Sequence, residues 1–297
     1  MAIVTVIGLG SMGIGMANSV LRAGHEVWGL DISEARMEAF VAGGGKSGTI
    51  AEAAGASDIL VCVVLNAAQT REVLFGAGGA ADHLKPGAVI IACATIPPAD
   101  ARALAAEAAA RGLFYLDAPV SGGTGRAASG ELSIMASGPA EAFAAARPAL
   151  DAMSSTVHAL GDEAGAGSAM KAVNQLLAGV HLAAMGEAFA LGISQGLEAQ
   201  RILDVVSVSA GTSWMFENRG PHIVENDYET RSAVNIWPKD LGIVSEIAES
   251  AGMPVPMTGA ALGQFRAAAE AGDGLVDDAA VVRVYARAAG LKLPGDA

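Results

Sequence analysis

The run Ile3-Val-Thr-Val-Ile7 is followed at once by Gly8-Leu9-Gly10-Ser11-Met12-Gly13 and then by a helical pattern, Met12–Ala23. G-x-G-x-x-G by itself is a weak signal in a chain with 38 glycines. Placed between a strand and a helix, it is a dinucleotide fingerprint. Gly8 allows the tight turn, Gly10 lets the backbone approach a pyrophosphate, and Gly13 lets helix and strand pack closely. Leu9, Ser11 and Met12 complete the loop, and the helix N-terminus offers amides and positive dipole to phosphate. A second strand, Glu26–Leu30, runs into Asp31. A carboxylate there accepts hydrogen bonds from a ribose hydroxyl and repels a 2′-phosphate, which favours NAD over NADP. A flexible loop beside a surface acid is the plain alternative.

Working outward, the first half alternates apolar runs with helical patterns. Strands are expected at Ile59–Leu65, Ala88–Cys93, Phe114–Asp117, Leu132–Ala136 and Val157–Leu160. Helices are expected at Ser33–Ala42, with Ser33 as N-cap, and at Ala67–Phe75, Ala99–Arg111 and Pro139–Met153. This is the pattern of a doubly wound α/β Rossmann-type sheet over residues 1–162. After Gly161 no convincing strand returns. One helix of about nine turns is expected over Ala164–Gln195, then helices near Glu198–Ser209, Lys239–Ala251, Thr258–Ala271 and Asp277–Ala289. The expectation is an all-helical second domain, 163–297, joined by a long interdomain helix. Residues 210–237, with two of the three tryptophans, read as a site-lining loop.

Composition narrows the function. The 297 residues carry a net charge of -13 and are 52% hydrophobic, so nucleic acid and anionic membrane surfaces are poor partners. No basic residue precedes the first apolar run, and glycines interrupt it, so it does not read as a signal peptide. The stretch 172–186 is short for a membrane span and holds Asn174, Gln175 and His181. A cytoplasmic protein is expected. Cys62 and Cys93 fall in strand-like runs and read as reduced core thiols. No Cys/His spacing suggests a metal site.

Three further places carry chemistry. Leu65-Asn66 and Ala94-Thr95 stand at strand ends, where such a sheet presents ligands; turn chemistry alone also explains them. Asp117-Ala-Pro-Val-Ser121-Gly122-Gly123 ends a strand in a turn whose amides suit a substrate carboxylate. Lys171 and Glu187 are the only charges between residues 164 and 195. A lysine on so apolar a helix either reaches solvent or lines a polar cavity, and burial lets it act as a proton carrier. Asn174 and Gln175 share its face.

Together these motifs resemble the β-hydroxyacid dehydrogenase family, which includes 3-hydroxyisobutyrate dehydrogenase, tartronate semialdehyde reductase and, more distantly, 6-phosphogluconate dehydrogenase. Four motifs in the family's order carry the likeness: Gly8 to Ala17, Asp117 to Gly123, Gly165-Ala-Gly-Ser-Ala-Met-Lys171-Ala-Val-Asn174, and Lys239-Asp240-Leu-Gly242. The resemblance implies that Lys171 is catalytic and that Asn66, Thr95 and Lys239 contact the cofactor. It assigns Ser121, Gly122, Gly123, Asn174, Gln175 and Asp240 to the substrate. It also implies a homodimer or homotetramer that acts on a small hydroxy acid with NAD. Gln175 departs from the family's asparagine, and Trp237-Pro238 before Lys239 is a second departure. Asn66-Ala-Ala-Gln-Thr70, Asn174 to His181 and Ser213 to Arg219 are similar to the branch that oxidises threonate, a four-carbon sugar acid. There Asn218 and Arg219 are candidates for the substrate's polar tail. Reduction of a three-carbon semialdehyde, 3-hydroxyisobutyrate oxidation and a nucleotide-sensing scaffold are the competing readings.

Overall fold

The computed structural model describes residues 1–296. The chain folds as two compact units, Met1–Lys171 and a second beginning at Ala172.

In the first unit, β1 (Ile3–Ile7), β2 (Glu26–Leu30), β3 (Ile59–Cys62), β4 (Val89–Ala92) and β5 (Phe114–Asp117) form one sheet in the order β2-β1-β3-β4-β5. All its pairings are parallel. β3 and β4, Ile-Leu-Val-Cys and Val-Ile-Ile-Ala, are buried at every position, as continuous apolar runs require when helices cover both faces. Cys62 and Cys93 are buried free thiols. The order of strands reverses at β1, so the turns after β1 and β3 open on the crevice where doubly wound sheets bind ligands.

Helices α1 (Gly13–Arg22), α2 (Glu34–Ala42), α3 (Ile50–Ala56), α4 (Ala67–Phe75) and α5 (Pro98–Ala109) connect these strands. The expected pattern omits α3, although Thr49-Ile-Ala-Glu52 builds a complete capping box at its start. Ser33 stands at the N-cap of α2 as expected, but its hydroxyl makes no cap hydrogen bond. The last short strands do not extend the main sheet. They form a second, three-stranded sheet of β6 (Val120–Ser121), β7 (Leu132–Ala136) and β8 (Ser154–Ala159), with β6 antiparallel and β8 parallel to β7. Between them lie α6 (Gly123–Ser129) and α7 (Ala140–Met153).

The long helix, α8 (Ala166–Ser194), has 29 residues and crosses the division between the units. At 1.5 Å per residue it is about 43 Å long. By length and composition alone it could cross a membrane, unlike the shorter stretch 172–186. A core helix of a soluble protein satisfies the same test, and Leu182, Met185 and Phe189 lie buried in the second unit's core. That unit is otherwise α9 (Ala199–Val206), α10 (Trp214–Val224), α11 (Ile236–Ser250), α12 (Pro256–Ala268) and α13 (Val282–Ala289). Residues 210–237 are therefore not a loop throughout. α10 fills their middle, capped by the Ser213 hydroxyl, which accepts from the Phe216 amide. Trp237 is buried on α11 and stacks on Phe265.

Candidate active site

The glycine-rich turn has the shape its spacing demands. Gly8 has φ +97°, and a Cβ there would stand 2.1 Å from the Val63 carbonyl oxygen. A Cβ on Gly13 would stand 1.8 Å from the Gly8 oxygen. Either substitution would push β1, β3 and α1 apart. Gly10 faces open space, with no atom within 4 Å of a Cβ built on it. The turn thus holds its backbone tightly from behind and leaves the front clear at the head of α1, which fits a pyrophosphate. Asp31 is built into this turn. Its Oδ2 accepts from the Leu9 amide at 2.8 Å and its Oδ1 from the Ser33 amide at 2.9 Å. The carboxylate that the Ser33 amide caps is what closes the end of β2. Arg36 reaches Oδ1 at 3.4 Å.

At the end of β3, Asn66 caps α4: its Oδ1 accepts from the Gln69 amide at 2.8 Å, and Gln69 in turn accepts from the Leu65 amide. Leu65 is exposed. Thr95 follows β4 and is half-buried.

The Ser-Gly-Gly stretch starts a helix. Gly122 and Gly123 have φ of +133° and +73°, two consecutive backbones that side chains resist, and α6 departs from them. α6 is tied to α1. A Cβ on Gly15 would strike the backbone of Ala127 and Ala128, and the Ser19 hydroxyl donates to the Ala127 carbonyl at 3.0 Å. The nucleotide turn and the Ser121–Gly123 turn are therefore fixed to each other by one close helix contact.

Asp117, which opens the same motif, has a role that its sequence context does not announce. Its side chain gathers the start of α8: Oδ2 accepts from the amides of Gly165 (2.9 Å) and Ser168 (2.8 Å), and Oδ1 from the Ser168 hydroxyl (2.6 Å). Ser137 donates to Oδ2 at 3.4 Å, and its own Oγ accepts from the Gly167 amide. Burial pushes the Asp117 carboxyl up from its ordinary range, and the bonds from Ser168, Gly165 and Ser137 oppose that shift. A Cβ on Gly167 would collide with the carbonyls of Met135 and Asp117, so this approach needs glycine. One turn beyond Ser168, buried Lys171 donates from Nζ to the Val120 carbonyl at 2.8 Å, at the residue before Ser121. The structure thus brings Lys171 and the Ser121–Gly123 turn together.

In the second unit, Asn174, Gln175, Lys239 and Asp240 form one connected group. Asn218 and Arg219 belong elsewhere. Arg219 is buried and donates from Nε to Asp278 Oδ1 at 2.7 Å, and its Nη1 bonds Asn218. Trp237 Nε1 donates to the other Asp278 oxygen at 3.0 Å. Arg219 thus takes part in a core ion pair. Beside it, His222 Nδ1 lies 2.8 Å from Asp277 Oδ1. No local pattern announces these pairs, since their partners are 59 and 55 residues apart. Among the described residues, no group of three His, Cys, Asp or Glu side chains could hold a metal ion. A cavity of about 590 Å³ beside α5 and β5 is lined by Arg102, Phe114 and Tyr115 and includes none of these site residues.

A Rossmann turn, a buried lysine held at the residue before Ser121 and a helical second unit are features of an NAD-binding oxidoreductase that acts on a hydroxy acid. Residues 3–161 match the NAD binding domain of 6-phosphogluconate dehydrogenase, and residues 165–285 match the NAD-binding domain of NADP-dependent 3-hydroxyisobutyrate dehydrogenase. The chain belongs to the β-hydroxyacid dehydrogenase family. It is 49% identical over 293 residues to an L-threonate dehydrogenase of Cupriavidus necator, covering 98% of each chain. It is 45% identical to one from Escherichia coli K12, covering 98% of this chain and 96% of the relative. The crystal structure of a 3-hydroxyisobutyrate dehydrogenase from Salmonella typhimurium superposes with a TM-score of 0.90 at 47% identity, covering 95% of this chain and 99% of that one.

Proposed function

We propose that this enzyme oxidises a four-carbon sugar acid, L-threonate, to its 2-oxo acid with NAD. The observation that carries the mechanism is the Lys171 Nζ held 2.8 Å from the Val120 carbonyl, next to Ser121. The Ser121 hydroxyl and the amides of Gly122 and Gly123 hold the substrate carboxylate. Unprotonated Lys171 keeps two N–H groups and a lone pair. One N–H stays on the Val120 carbonyl and orients the nitrogen, while the lone pair takes the proton of the hydroxyl next to the carboxylate. NAD, when bound, supplies the acceptor for the C–H hydride. Gly8 to Gly13 cradle its pyrophosphate, Asp31 reads its ribose, and Leu65, Asn66, Thr95 and Lys239 flank it. General base catalysis contributes about 10²–10⁴-fold, and alignment of the reacting groups supplies much of the rest.

Residues 1–162 serve as the dinucleotide domain and 163–297 as the substrate and oligomerisation domain in this reading. Val173, Leu177 and Leu191 are exposed apolar side chains on α8, which supports a homodimer or homotetramer. The acidic charge supports a protein that binds neither nucleic acid nor anionic membrane surfaces, and a cytoplasmic location is part of this reading. The Salmonella relative favours 3-hydroxyisobutyrate as the second candidate substrate. A kinetic screen of threonate, erythronate, glycerate and 3-hydroxyisobutyrate with NAD and NADP decides. Threonate with NAD is expected to give the highest kcat/KM. Preference for a three-carbon acid would overturn the substrate, and equal use of NADP would overturn the role of Asp31. Lys171→Ala is expected to lower kcat by at least about 10²-fold with NAD affinity retained. Substantial turnover by that variant would remove the lysine from the chemistry.

A further inference from the structure

The Ser121–Gly123 turn offers a carboxylate neutral donors only, one hydroxyl and backbone amides. Lys171, held at Val120, brings no charge when it works as a base, since a lysine that takes a proton starts neutral. Moving an anion out of water onto neutral donors alone is unfavourable, and a nearby cation offsets part of that penalty. The whole chain carries a net charge of -13, so an acid also arrives against the overall field. Arg126, on α6, stands beside this turn. A Cβ built on Gly122 would lie 2.9 Å from Arg126 Cδ, 3.0 Å from its Cβ and 3.4 Å from its Cγ. The arginine stem therefore fills the space that a side chain at 122 would take, and the guanidinium begins one bond past Cδ. Arg126 is exposed. Arg36, Arg71, Arg111 and Arg147 of the same unit each pair with a carboxylate. Among the described residues, the Arg126 guanidinium has no such partner. Glu131, the nearest acid along the chain, accepts instead from the Ser129 hydroxyl at 2.8 Å. Arg126, Gly122, Val120 and Lys171 all belong to the first unit.

We propose that Arg126 is a specificity-determining residue: its permanent positive charge draws an acid to the Ser121–Gly123 turn and favours a carboxylate there over an uncharged group. This rests on the reading of that turn as the carboxylate site. A guanidinium stays protonated at every pH at which Lys171 is neutral. The two side chains therefore divide the work, one supplying charge and the other a lone pair.

The test is Arg126→Met, which keeps an unbranched apolar stem against Gly122 and removes the charge, beside Arg126→Lys, which keeps the charge. KM and kcat are measured for the hydroxy acid that the wild type turns over best, from about 0.02 to 0.5 M salt. NAD affinity is measured by fluorescence titration under the same conditions. In Arg126→Met at low salt, KM is expected to rise about 5-fold while kcat stays within about 2-fold of wild type. The wild-type KM is expected to rise with salt and that of Arg126→Met to stay nearly flat, because screening weakens only a charge that is there. Arg126→Lys is expected to keep most of the wild-type KM and its salt dependence. A wild-type KM in Arg126→Met, an unchanged salt dependence, or an equal loss in Arg126→Lys would overturn the inference. So would an NAD affinity that falls as far as that for the acid, which would make Arg126 a cofactor contact. A wild type that oxidises no hydroxy acid overturns the functional reading and this inference with it. An active wild type whose Arg126→Met variant keeps its KM overturns this inference alone.

Discussion

Two buried aspartates, one in each unit, are satisfied in opposite ways. The Asp117 carboxylate accepts from two amides and two hydroxyls: Gly165 and Ser168, at the start of the helix that bears Lys171, give three of these bonds, and Ser137, just past β7, gives the fourth. Asp278 is held by the Arg219 guanidinium and the Trp237 indole. Neutral donors bring little desolvation cost of their own and place backbone atoms accurately. An ion pair removes two charges from water and depends on both partners being present. The first unit uses Asp117 to fix the start of α8, the second uses Asp278 to hold helices α10 and α11 to the chain around it.

The largest effect that would sharpen this contrast is expected from Arg219→Ala. It strands the Asp278 carboxylate in the core and should cost about 3–5 kcal/mol in denaturant unfolding. Replacing both partners with apolar side chains should recover much of that loss. A single variant as stable as wild type would break the comparison. Asp117→Asn should cost less, about 1–3 kcal/mol, because an amide nitrogen now faces donors. Its clearer readout is kinetic: kcat should fall while NAD affinity holds, since the start of α8 loosens but the glycine-rich turn does not. Loss of NAD binding instead would mean that Asp117 braces the whole unit.

The smallest effect concerns pH. Burial raises the Asp277 carboxyl, but hydrogen bonds from His222, the Ala279 amide and the Arg231 amide outweigh it, and the net shift is downward from 3.8. A lowered folded value means that the fold favours the ionised form. That contribution is present above the unfolded value and is lost as pH falls through the folded one. The stability gap between wild type and Asp277→Asn should narrow as pH falls below about 4. A gap that stays flat to pH 3 would break the assignment.

The same contrast explains what was legible in the sequence. The first unit's features are local: glycines at fixed offsets, a carboxylate after a strand, and β3 and β4 as unbroken apolar runs. The second sheet was not legible, because β6 has only two residues and its partner β7 follows an intervening helix. α10 was disguised by Gly220 and Pro221 inside it. α3 does carry a readable signal, the capping box Thr49-Ile-Ala-Glu52. The pairing of Arg219 with Asp278 is not legible either, because a buried partner 59 residues away leaves no periodic trace.

The two cysteines have a practical consequence. Burial pushes the Cys62 thiol up to about 12 and Cys93 higher still. Burial keeps both protonated at neutral pH, so a thiol-directed reagent finds no thiolate on either while the fold is closed. Both sulfurs belong to the central strands or their ends, β3 and β4, where opening means parting the sheet itself. The rate at which a thiol reagent consumes them therefore serves as a clock for that opening, and a single cysteine introduced on the surface could carry a dye without competition from the native pair.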